Sequence, residues 1–71
     1  MNATEQITKN ASDVARLVDV LAMELERITK DRDLNCWASA GDVAKVRSDL
    51  IDAVAFISGK DREDVVAFLD E

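Results

Sequence analysis

The side chains of this sequence that could do chemistry gather between residues 31 and 50. Asp31, Asp33, Asn35, Ser39 and Asp42 occupy positions 1, 3, 5, 9 and 12 of a twelve-residue window. Oxygen donors repeated at that interval can wrap a hard cation. Cys36 and Trp37 stand inside the same window, and Cys36 is the only cysteine. A reactive thiol needs a nearby cation or a helix N-terminus to lower its pKa. Arg32 is close in sequence, but the chain has no histidine to serve as a base. The lack of histidine also removes the usual zinc pairings and imidazole acid–base chemistry, and one cysteine cannot close a disulfide within the chain. The remaining candidate is Ser48, in the tripeptide Ser48-Asp49-Leu50.

The window 31–42 resembles an EF-hand calcium loop, and the resemblance is confined to it. Cys36 stands where that family has the glycine of a sharp turn, Ala38 where it has a larger aliphatic residue, and Asp42 where it has a bidentate glutamate. The resemblance therefore implies a cation site of reduced affinity. The competing assignment has Asp31 and Asp33 ending one helix while Ser39 and Asp42 cap the next. We prefer it, and no metal ligand or cofactor is assigned. Ser48-Asp49-Leu50 is similar to the Asp-Ser-Leu of acyl carrier proteins, whose serine carries phosphopantetheine. Here the order differs, Arg47 precedes the serine, and only 23 residues follow it. Ser48 is expected to be a solvent-facing serine inside a helix. The other carboxylates fall on helix surfaces with no apolar pocket to raise their pKa. No catalytic residue is assigned, and the chain is expected not to be an enzyme.

These residues must be held by helices. Proline is absent and the only glycines are Gly41 and Gly59. Ile7, Ala11, Val14, Val18, Leu21, Leu25 and Ile28 recur at alternating steps of four and three, which is one face of a helix close to a two-stranded seam. Leu17 widens that face. Asn2 followed by Glu5 could start the helix near residue 3; a start at Ser12 would leave residues 1–11 frayed. The first helix is expected over about 4–31. Residues 31–38 break the pattern as a loop, and Ser39 with Asp42 should open a second helix over about 40–58. Val43, Val46, Leu50, Ala53, Val54 and Ile57 share a face of it, and Gly59 is the natural stop. Asp61 should cap a short third helix over about 62–70. The expected architecture is all-α: an antiparallel hairpin of the first two helices, the third folded over one end, and a four-helix-bundle-like core completed by a dimer.

Seventy-one residues make a single small domain, and a chain below roughly 70–80 residues seldom stabilises itself by more than about 3–5 kcal/mol from its core alone. Oligomerisation, a bound partner or an oxygen-ligated cation is the natural supplement. Val20 and Met23 lie nearly opposite Val14 and Leu25, and Phe56 sits with Lys45, Asp49 and Asp52 rather than with Leu50. Phe56 could be covered by Phe68 or Leu69. Trp37 is expected to pack the loop onto the end of the bundle, with Leu34 beside it, and is also the best interface anchor if exposed. Val20, Met23, Trp37 and Phe56 are the candidate interface.

Fifteen acids against nine bases give a net charge of −6. Residues 48–71 hold seven of the acids and only Lys60 and Arg62 as bases. Residues 43–70 have the outline of a helix–turn–helix, yet the last helix opens Asp61-Arg62-Glu63-Asp64, which would aim carboxylates at phosphates. Direct nucleic-acid binding is not expected. No apolar run approaches the roughly 18 residues that span a bilayer, and no secretory leader is visible, so the expectation is a cytoplasmic protein of bacterial or phage type with no membrane contact. The leading functional expectation is a non-enzymatic protein that acts by association, as a homodimer and with a possible protein partner. The alternatives are an acidic mimic of nucleic acid that inhibits a DNA-binding protein, and a degenerate EF-hand-like cation binder.

Overall fold

The computed structural model describes residues 2–71. They form three α-helices, α1 (Ala3–Lys30), α2 (Trp37–Ser58) and α3 (Arg62–Leu69), and one turn of 3₁₀ helix at Arg32–Leu34. No strand occurs among the described residues, and the all-α class expected from the periodicity holds. The chain divides into two compact units, one ending at Asn35 and the other comprising Cys36–Glu71.

In the first unit the helix begins where its local chemistry says it should. The Asn2 side-chain oxygen accepts the Glu5 amide at 2.8 Å, so one of the four free N–H groups of the first turn is satisfied. The acid Glu5 in the first turn and the bases Arg27 and Lys30 in the last complement the helix dipole. Ion pairs run along the surface: Lys9–Asp13 at 2.7 Å, Glu24–Arg27 at 2.7 Å and Glu26–Lys30 at 2.5 Å. Each is exposed and contributes only a few tenths of a kcal/mol, but α1 is 28 residues long and free of glycine and proline, well beyond the roughly 12–15 residues at which isolated helices are marginal. Residues 3–11 are helical, so a start at Ser12 does not apply.

The expected loop over 31–38 is shorter than its composition suggested. Asp31 turns its carboxylate back to accept the Asp33 amide at 2.9 Å, and the Leu34 amide donates to the Asp31 carbonyl at 3.1 Å. These bonds wind Arg32–Leu34 into a single 3₁₀ turn. Helix α2 then begins at Trp37 rather than near residue 40, with Cys36 in the extended conformation of a cap. Ser39 is thus inside the helix and does not cap it. Trp37, Ala38 and Ala40 carry nothing that resists helix formation, so the helix extends back past the serine.

In the second unit α2 and α3 pack on one another. Gly59, at φ 73°, ends α2 in the left-handed conformation, and its amide donates to the Ala55 carbonyl at 3.1 Å. Asp61 stands at the start of α3, where the Asp64 and Val65 amides donate to its carbonyl. The buried residues are Ile51 of α2, 3% exposed, and Val65 of α3, 8% exposed. Ser48 and Ala55, three residues before and four after Ile51, are half-buried with it, as is Val66. The face covered in this unit is therefore not the expected one. Val43 and Val46 are half-buried, but Leu50, Ala53, Val54 and Ile57 remain exposed. Replacing Ile51 with alanine should cost about 2–5 kcal/mol, comparable to all that a core this small supplies. Amide exchange across Arg62–Leu69 should accelerate to the rate of an unfolded segment; retained protection there would show that Ile51 does not hold α3.

Candidate interaction surface

The four candidate interface residues are all exposed: Val20 at 55%, Met23 at 69%, Trp37 at 92% and Phe56 at 87%. In the first unit Val20 and Met23 are one turn apart on α1. Val20 also lines an open depression with Asp13, Arg16 and Leu17. Leu17 and Val20 give its lining an apolar part, and Asp13 and Arg16 add one charge of each sign. No residue of α1 is buried; Leu21, Leu25 and Ile28 are half-buried, whereas Ile7, Val14, Leu17 and Val18 are exposed.

In the second unit Trp37 and Phe56 are not brought together. Nineteen residues of α2 separate them, which is about 28 Å along the axis. Two expectations fail here. Trp37 does not pack against the loop. Phe56 is not covered by Phe68 or Leu69, both of which are themselves exposed. Geometry accounts for Phe56: five residues at about 100° each put it roughly 140° around α2 from Ile51, away from the face that α3 covers.

The arrangement that sequence reasoning missed is a polar clamp between α2 and α3. The Arg62 guanidinium donates to the Ser48 carbonyl at 3.3 Å and to its hydroxyl at 2.9 Å, and it also pairs with Asp52. Ser48 is accordingly a half-buried acceptor and not the solvent-facing serine expected of it. The signal was present as Ser48, Ile51, Asp52 and Ala55, which fall at helical spacing and define a second stripe on α2. The clamp also engages Asp52, while Lys45 pairs with Asp49 at 2.7 Å, so two of the acids in the C-terminal third are partly neutralised. That bond to Asp49, followed by the attraction of its charge, raises the pKa of Lys45. Glu63 and Asp64 lie in the first turn of α3, where the helix dipole favours them.

The window 31–42 is divided between the 3₁₀ turn and α2, since Ser39 and Asp42 are both helical. Asp31 spends one carboxylate oxygen on the Asp33 amide. Among the described residues no group of three or more cysteine or carboxylate side chains is gathered as a metal would require. Cys36 is exposed and free. The Ser39 backbone N–H lowers its pKa most, and the Ser39 hydroxyl and the Ala38 N–H add to this; slight desolvation and the charge of Asp42 oppose them. As a thiol Cys36 donates to the Ser39 hydroxyl, with sulfur and oxygen 3.7 Å apart. On ionisation the hydroxyl can turn and donate instead.

No described helix is long and apolar enough to cross a membrane. Comparison of the chain with models of known protein families, with curated proteins and with solved structures gives no match.

Two outcomes are expected. Arg62→Ala should lower the stability of the α2–α3 pair by about 1 kcal/mol, since the guanidinium is half-exposed and screened. Urea unfolding would reveal it as a lower midpoint, and an unchanged midpoint would mean the clamp is energetically idle. For Cys36, the lowered pKa means that thiolate persists to lower pH than in an unstructured peptide. The pH profile of its alkylation should have its midpoint below that of a peptide cysteine; a midpoint at or above the peptide value would contradict the assigned role of the Ser39 N–H.

Proposed function

We propose that this protein is not an enzyme and acts by protein–protein association, first with a second copy of itself. The observation that carries the reading is the balance of apolar side chains. Thirteen large ones are exposed among the described residues, against two that are buried. Single exposed apolar residues are ordinary, but so many on 71 residues leave most of the driving force for folding unused. The arrangement proposed is a two-fold dimer in which each chain folds α1 and α2 into an antiparallel hairpin and two hairpins form a four-helix bundle. Val20, Met23, Trp37 and Phe56 are assigned to the contact surface, where Trp37 and Phe56 would be the anchors that bind most strongly once desolvated. No cofactor, metal or nucleic acid takes part in this reading.

A second reading, in which the protein mimics nucleic acid to inhibit a DNA-binding protein, draws on the exposed acids Asp61, Glu63, Asp64, Asp70 and Glu71. The pairing of Asp49 and Asp52 with bases makes it the weaker of the two. Light scattering and sedimentation across a range of concentrations should give twice the 7.8 kDa chain mass, and the mass should change little between 0.05 and about 0.5 M salt, because an apolar interface is not screened. Replacing Trp37 and Phe56 together by alanine should weaken association at least tenfold. A monomer at every concentration would overturn the reading. Unchanged association in alanine variants of all four residues would remove them from the interface.

A further inference from the structure

We infer that the occupant of the long α1 stripe is α1 of a second copy, running antiparallel in a register where each residue faces the one whose number completes 32. This rests on the self-association proposed above and specifies its geometry. Along the stripe the two smallest residues, Thr4 and Ala11, lie near the N-terminus with Ile7 between them, Val14 and Val18 lie in the middle, and Leu21, Leu25 and Ile28 lie near the C-terminus. A parallel pair would stack like on like, leaving gaps where Thr4 meets Thr4 and Ala11 meets Ala11. The antiparallel register sets Ile7 against Leu25, Ala11 against Leu21 and Val14 against Val18 of the second copy. Thr4 then faces Ile28. Small meets large at the layers that need it, so the core fills evenly without voids or strain, and no apolar residue of the stripe falls outside the overlap.

Charge points to the same occupant and the same direction. Two chains of net charge −6 must meet on a surface that does not repel itself. Along α1 the acids and bases nearly cancel, and the three ion pairs run along its outer surface. Of the charged residues only Glu24 borders the stripe, where the antiparallel register sets it beside Asn10 of the second copy. Residues 31–71 hold ten acids and five bases. In an antiparallel pair these acidic segments leave α1 at opposite ends, whereas a parallel pair would start both from one end. The helix dipoles also oppose one another in this arrangement. Val20 and Met23 lie on the other side of α1, where the four-helix bundle proposed above would bring α2 of the second copy against them.

The test uses the full chain with Cys36→Ser and a nitroxide on Glu5→Cys, an exposed position off the stripe. In the proposed register the two labels sit 22 residues apart along the axis, about 33 Å; in a parallel pair they would sit side by side, within about 20 Å. Pulsed electron resonance should therefore give a single distance near 33 Å. As a second measurement, an equimolar mixture of Ile7→Cys and Leu25→Cys chains, both carrying Cys36→Ser, should oxidise mainly to the mixed disulfide. A dimer by light scattering with a short label distance, or with mainly 7–7 and 25–25 disulfides, would overturn the register while leaving association intact. A monomer by light scattering, with no distance signal, would overturn both.

Discussion

Helix α1 pairs most of its backbone polar groups within its own length and caps, from the amides taken up by Asn2 to the carbonyl of Arg27, yet it has no means within its unit to cover Ile7, Val14, Leu17 and Val18. That is the general condition of a helix. Its hydrogen bonds are local and its hydrophobic burial is not. Everything else about this protein follows from how far each unit meets the second requirement. The Cys36–Glu71 unit meets it in part, by folding α3 over Ile51. The first unit, holding α1, does not meet it alone, and its length and surface ion pairs let the helix persist without doing so.

Polar and apolar contacts divide the labour between α2 and α3. Burial of Ile51 and Val65 supplies attraction without direction, while Arg62 supplies direction with little net energy, because its guanidinium reaches three acceptors on consecutive turns of α2. The clamp satisfies Ser48 as that residue loses solvent. It also places a base among the acids of the C-terminal third, where Arg62 and Lys60 are the only ones.

The helices themselves were legible in the sequence because their ends are decided by neighbours. Asn2 with Glu5, and Gly59, act within four residues, and each does what its chemistry suggested, while Asp61 stands at the expected start of α3 without a side-chain capping bond. What was not legible was a choice between equals. On α2 the apolar residues encircle the axis, so Leu50 and Ile51 were both credible core positions. The decision belongs to α3, whose tether of Gly59–Asp61 and whose Arg62 reach only the side bearing Ser48 and Ile51. The same applies to Trp37 and Phe56, whose exposure depends on what their neighbours cover. At the start of α2 a serine with strong capping preference lost to a cysteine, because the intervening residues extend the helix at no cost. The expected loop over 31–38 proved shorter because α2 begins at Trp37 and takes in Ser39, the expected cap.

The left-handed residue at Gly59 has a consequence for the order of events. Because a single glycine reverses the chain, Arg62 meets Ser48 across only fourteen residues, and closing so small a loop takes well under a microsecond. Contacts this local put the α2–α3 pair among the fastest topologies to assemble. Its formation is a first-order event that does not wait for a second molecule. In the self-association proposed above, collision between copies, whose rate falls with dilution, would engage chains in which this pair is already in place.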